Sequence, residues 1–315
     1  MHCLSYRGLT KMAACMVQND SLEENFRKRI ADLSKECNTL QKENLDLSEQ
    51  QLLLKASSKC HRCLKTLEKS KHKLTEQSWY SILREYAQAV MDQTYILECR
   101  LVNEEFPDNS YKDRLSNILD QLRHPEEFAA MLVDSNESQT KTIEALGVEV
   151  LECLHWRRGA LMYMLCHTIY EDQERLKHNT ATFVKDCEKG VRFLMLMLSI
   201  RTPLSEKSSS LEIRDCDTAA LLRQGYGGIF SDTHMLAFMY AGELCCWHWR
   251  TVRTHSHMST RDLSTIGLQC LSKYTETCEG ALNGKGWDCT KAKTLIAEME
   301  NSLNTTDQHY HNTDQ

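Results

Sequence analysis

Residues 146–170, LGVEVLECLHWRRGALMYMLCHTIY, form the longest apolar run with a clean helical period. Leu146, Val150, Leu154, Leu161, Met164, Leu165 and Thr168 fall on one stripe, and Val148, Leu151, Met162 and Cys166 make a second. A helix apolar on most sides belongs in an interior. Arg157 stands within the first stripe, and a buried cation needs an acidic partner. Gly159 in mid-helix gives up about 1 kcal/mol relative to alanine, which predicts a close helix crossing there. Residues 233–252, THMLAFMYAGELCCWHWRTV, form a second strongly apolar helix, with Glu243 as the lone acid inside it. Each of these helices hides one odd charge, so Arg157 and Glu243 are the expected buried pair.

The remaining pattern is helical as well. From Ser21 to Lys55 the chain has neither Gly nor Pro, and Phe26, Ile30, Leu33, Cys37 and Leu40 approach a 3-4 repeat. This predicts a single helix packed on the core or on a partner or, as the alternative, a self-associating coiled-coil tether. Further helices are expected over residues 59–73, 79–102, 111–122, 183–200, 215–223, 262–279 and 288–303. Pro125 with two acids behind it opens one more. Residues 134–142 and 171–177 are polar enough to be connections. The fold class predicted is all-α, a bundle of about ten helices around two central apolar ones. The expected organisation is a disordered segment 1–19, leading helices 20–74, a core domain 75–304 and a disordered tail 305–315.

Composition adds to this picture. Three Pro and 12 Gly in 315 residues suit long helices. A net charge of −6 speaks against a nucleic-acid partner. No apolar run approaches the roughly 20 residues that cross a bilayer, so no direct membrane insertion is expected. The 15 Cys are scattered through helical segments, and MHCLSYRGLTK has no secretory character. They read as reduced thiols in the cytosol.

Candidate chemistry is sparse. Cys60-His61-Arg62-Cys63 is a lone C-x-x-C with no second pair nearby, and reads as two ordinary helical cysteines. Gly227-Gly228 before Ile-Phe-Ser231-Asp232 lacks both the lysine and the preceding strand of a phosphate loop, so a helix end followed by a Ser/Asp cap is expected. Cys245, His248, His255 and His257 are the one grouping with metal-ligand character, and a metal-dependent hydrolase is the alternative they raise. No residue is assigned a catalytic role, and no cofactor is expected. A partner surface, if present, is expected near Arg158, Asp232 and His234.

Several stretches are similar to one small metazoan family, the Rab-interacting third subunit of the Mon–Ccz complex. They are EYAQAVMDQTY (85–95), RLVNEEFPDN (100–109), LECLHWRRGALMYMLCH (151–167), DTAALL (217–222), GIFSDTHMLAFMYAGELCCW (228–247) and KYTETCEGAL (273–282). Gly225-Tyr226-Gly227 departs from the family pattern as a small insertion. The resemblance implies a non-enzymatic cytosolic subunit. Its implied partners are the Mon–Ccz guanine-nucleotide exchange complex and the late-endosomal Rab GTPase. It further implies support of Rab stability and recruitment, through partners, to late endosomal membranes and to damaged mitochondria in mitophagy.

Overall fold

The computed structural model describes residues 6–69, 74–132, 138–200, 232–254, 262–280 and 282–311. Among the described residues there are ten helices and no strand. They are α1 (Tyr6–Leu40), α2 (Leu47–Lys69), α3 (Glu76–Asn103), α4 (Tyr111–Leu132), α5 (Ser138–Leu146), α6 (Val148–Glu171), α7 (Gln173–Ser199), α8 (Asp232–Thr254), α9 (Ser264–Glu279) and α10 (Thr290–His311). The helix expected over residues 215–223 and the Gly225–Ser231 turn lie outside the described residues. Among the described residues no helix is long and apolar enough to cross a membrane.

The chain divides into two compact units. One is Met1–Leu101 with Asp108–Leu151, and the other is Val102–Pro107 with Glu152–Gln315. This is not the expected boundary after residue 74. The reason is Phe26 of α1, whose ring lies 4.5 Å from Phe128, 5.1 Å from Tyr86 and 5.9 Å from Trp79. Helices α1, α3 and α4 therefore share one core, and the leading helices belong to it.

The seam residues Phe26, Ile30, Leu33 and Cys37 are all buried within this unit. Their repeat serves an intramolecular contact and not the tether raised above. α1 and α2 run antiparallel, since Arg27 donates to the Leu67 carbonyl at one end and Ser57 reaches Asn38 at the other. The turn between them closes with a reciprocal cap: Asp46 accepts from the Glu49 amide at 2.8 Å, and Glu49 accepts from the Asp46 amide at 3.1 Å. Helix α1 starts at Tyr6, ahead of the expected start at Asp20, and α10 continues to His311, past the expected end at Leu303.

Pro125 does not open a new helix. It lies inside α4, where Leu115, Ile118, Leu122, Phe128 and Ala129 form one buried face. Burying that face outweighs the one backbone bond that proline removes. The run from Leu146 is, by contrast, broken. Gly147 adopts φ +86 and its amide bonds the Ile143 carbonyl at 2.7 Å, ending α5 before α6 begins. Arg84 donates to the Ala145 carbonyl at 2.9 Å and to that of Glu144, and so satisfies two orphan acceptors of α5.

In the second unit, α6, α7, α8 and α9 approach closely at glycines. A Cβ on Gly159 would lie 2.6 Å from a Leu194 methyl, the close crossing predicted from the sequence. Gly190 meets Leu244 in the same way, Gly242 meets Leu271, and Gly267 meets Cys245. Asp172 caps α7 by accepting from the amides of Glu174 and Arg175 at 3.1 and 3.0 Å, so this charged stretch is helical where a connection was expected. Arg175 then holds the chain segment 102–107. It donates to the carbonyls of Glu105 at 3.1 Å and Phe106 at 2.7 Å. Both residues have left-handed φ, 54 and 53, and Phe106 is fully buried.

Candidate functional site

The second unit is organised around the two apolar helices the sequence marks, α6 and α8. They meet through an interleaved stack of rings. Trp156 lies 5.6 Å from Tyr240, Tyr240 lies 3.7 Å from Tyr163, Tyr163 lies 5.4 Å from Trp247, and Trp247 lies 5.2 Å from Tyr170. Phe183 of α7 closes the end at 6.1 Å from Tyr170. The cause is legible in the spacing. Residues 156, 163 and 170 are seven apart on α6, and 240 and 247 are seven apart on α8, so each set stays on one face. The pairs at 5.2–5.6 Å each contribute about 0.5–1.5 kcal/mol beyond the area they bury.

Two charged rungs fasten α10 to this stack. In the first, the Tyr163 hydroxyl donates to Glu243 Oε2 at 2.9 Å, and Lys291 Nζ pairs with Glu243 Oε1 at 2.8 Å. In the second, Arg250 donates to the Tyr170 hydroxyl oxygen at 3.0 Å and grips Glu298 with two nitrogens, one at 2.8 Å. The rungs are again seven residues apart on all three helices: Tyr163 and Tyr170, Glu243 and Arg250, Lys291 and Glu298. Their polarity is reversed, with the acid on α8 in the first rung and on α10 in the second. Sliding α10 by a heptad would bring like charges together, so the rungs select a single register.

Burial, followed by the charge of Glu243, pushes the Tyr163 phenol well above its usual range. It stays protonated and remains a donor. Hydrogen bonding to Arg250 holds the Glu298 carboxyl below its usual value.

The expected pair is therefore corrected. Glu243 is buried as predicted, its side chain only 3% exposed, but its cation is Lys291, which is 59% exposed. Arg157 is half-buried, and the deeply buried cation is its neighbour Arg158, at 3%. The 100° step between adjacent helix positions makes the difference. Arg158 donates to the Leu154 carbonyl at 3.1 Å and to His155 Nδ1 at 2.8 Å, and its guanidinium lies 4.9 Å from the Phe193 ring. It does not face outward as expected. His234 is buried as well, 3.4 Å from Glu152, so it ties the start of α8 to α6. Of the three residues expected on a partner surface, Asp232 alone is exposed.

The metal grouping is only partly within the described residues, since His255 and His257 lie outside them. Cys245 is buried against Gly267, and burial raises its thiol well above the usual value. A protonated thiol in that position is a poor ligand and a poor nucleophile. His248 Nε2 lies 3.4 Å from Glu188, and burial, opposed by that carboxylate, lowers its pKa. Among the described residues no three His, Cys, Asp or Glu side chains are grouped closely enough to hold a metal ion. Cys60 and Cys63 are likewise buried, each thiol pushed up to about 12, chiefly by burial.

The apolar pattern alone does not mark the working parts of this site. The aromatic heptads and the charges at positions 291 and 298 were visible as seven-residue spacings. No single spacing says which helices they join.

Comparison with known proteins gives a consistent result. The sequence model of one family, "RAB7A-interacting MON1-CCZ1 complex subunit 1", matches residues 52–299. A Danio rerio protein of that name is 38% identical over 283 residues, covering 87% of this chain and 96% of its own. The Homo sapiens protein of the same name is 34% identical over 233 residues, covering 69% of this chain and 76% of its own. No solved structure matches.

Proposed function

Since the chain belongs to the RAB7A-interacting MON1-CCZ1 complex subunit 1 family, we propose that it is a non-enzymatic adaptor joining that exchange complex to its late-endosomal Rab GTPase. The observation that carries this reading is the continuous match over residues 52–299, which takes in α3 to α9 and most of both units. Glu243 and Arg250 of α8 are spent on Tyr163 and Tyr170 of α6 and on Lys291 and Glu298 of α10, in rungs that keep the helices in register. Such a body presents a fixed surface and works through what it holds.

The mechanism is mass action. A subunit that binds the folded GTPase and not its unfolded chain stabilises it by RT ln(1 + [L]/Kd), about 2.7 kcal/mol when free adaptor stands at a hundred times Kd. Holding both partners also raises the effective concentration of one at the other. In this reading the adaptor prolongs the lifetime of the GTPase and accompanies it to damaged mitochondria in mitophagy, acting from the cytosol and reaching late endosomal membranes through its partners. Asp232, exposed at the start of α8, belongs to the partner surface, and His234 and Arg158 act behind it by fixing that helix.

The test is capture from cells with the full chain tagged. The GTPase and both exchange-complex subunits should be recovered together, and depletion of the chain should shorten the half-life of the GTPase. Recovery of none of the three would end the proposal. An unchanged half-life on depletion would remove its stabilising role.

A further inference from the structure

The outward face of α2 is unlike the rest of the chain. Residues 47–69, the length of α2, carry five Lys or Arg against two Glu, a net +3 in a chain of −6, so the remainder carries −9. The buried face of α2 is Leu53, Ala56, Cys60, Cys63 and Leu67. Diametrically opposite, by the 100° step of the helix, lie Leu47, Leu54, His61, Lys65 and Lys69, with Lys55 beside them, and all six are exposed. Lys59 and Arg62 are already committed to Asp92 and Glu85. Lys55, Lys65 and Lys69 have no ion-pair partner among the described residues. Leu47 and Leu54 are 78% and 59% exposed, the highest values for large apolar side chains among the described residues.

We propose that this face of α2 adsorbs to the surface of an anionic phospholipid bilayer. Charge complementarity selects the partner's sign, because the face gathers unpaired cations on an otherwise acidic chain. The shape selects a bilayer over an acidic protein. From Leu47 to Lys65 the row extends about 27 Å at 1.5 Å per residue, along the convex side of a rod. A plane meets such a rod along its whole length, whereas a folded partner would need a groove cut to match. The leucines enter the headgroup boundary, and the lysine stems lie along it with their ammonium groups at the phosphates. This adsorption is peripheral, and no part of the chain spans the bilayer.

The full chain is sedimented with vesicles of phosphatidylcholine alone and of phosphatidylcholine mixed with phosphatidylserine. Binding is expected only to the second, and should weaken steeply with added salt. Each lysine contributes about a fivefold change in partitioning, so Lys55→Gln, Lys65→Gln and Lys69→Gln combined should lower it by about a hundredfold. All three positions are exposed, so the variant should melt as the wild type does. Leu47→Gln with Leu54→Gln should weaken binding while leaving its salt dependence intact. No binding of the wild type to anionic vesicles, or equal binding by the triple variant, overturns the proposal. If the triple variant keeps vesicle binding but loses capture of the exchange complex, the face is a protein-docking surface and the lipid assignment falls. Vesicles contain no protein, so failure here leaves the adaptor reading standing.

Discussion

Replacing Gly242 with alanine sets two effects of known size against each other. Alanine favours a helix interior by about 1 kcal/mol over glycine. At this position, however, the new Cβ would lie 2.5 Å from both Cγ and Cδ2 of Leu271. Ordinary contact begins at 3.4 Å, and Cγ is too near the backbone to swing aside. Leu271 is itself fully buried on α9. Overpacking of this kind costs typically 1–3 kcal/mol, and so deep a clash belongs in the upper part of that range. The net expectation is a loss of about 1–2 kcal/mol, or roughly 2–8 °C in Tm for a unit of this size. Calorimetry on the full chain reads it. The decisive comparison uses Leu271→Ala, which alone should cost about 2–5 kcal/mol. In that background the obstructing atoms are gone, so Gly242→Ala should become stabilising by about 1 kcal/mol. An unchanged or higher Tm for Gly242→Ala alone, or strict additivity in the pair, would show that α8 and α9 do not cross at this glycine.

Lys291→Ala leaves Glu243 charged and buried and should cost about 1–2 kcal/mol, while Glu243→Gln, which keeps a group for Tyr163 to bond, should cost less; chemical denaturation of both variants compares them, and the reverse order would contradict the first rung. Burial lowers the His248 pKa, so the unfolded chain takes up that proton first as pH falls below about 6.5. Stability from this site is therefore complete above that pH and declines below it, and His248→Gln should flatten the acid limb of a Tm-against-pH curve. Maleimide at neutral pH should modify the half-buried Cys99, Cys153 and Cys289 well before the buried Cys37, Cys60 and Cys63, whose thiols sit near 12. Mass spectrometry of the folded chain orders them, and early labelling of Cys60 or Cys63 would count against a buried face on α2.

The two apolar helices were legible because a helix buried on most sides must be apolar on most sides, and Gly159 marked its crossing for the same reason. Glu243 was legible as a buried acid, but its partner was not. A cation on an exposed stem, such as Lys291, carries no sign in the sequence that its head reaches inward. Arg157 and Arg158 differ by one position, and on a helix apolar all round the period cannot say which points inward. The 3-4 repeat from Phe26 to Cys37 is equally compatible with a partner helix and with a home core, so the coiled-coil alternative could be resolved only by seeing Phe26 among Tyr86, Phe128 and Trp79. Pro125 shows tertiary burial overriding a local signal. The basic run of residues 47–69 was plainly present, but its meaning depended on which of its cations were already paired.

The short excursion of residues 102–107 into the second unit, pinned by Arg175 and plugged by Phe106, bears on how binding regions can be mapped. Because the thread visits one body, returns to the other and then comes back, no single cut yields two self-sufficient halves. A fragment ending near residue 151 would carry an orphaned phenylalanine and a strained loop with nothing to clasp them, and its complement would have an empty socket. Truncations would then report aggregation where they were meant to report recognition, and point substitutions on the intact chain are the sounder route to the interface.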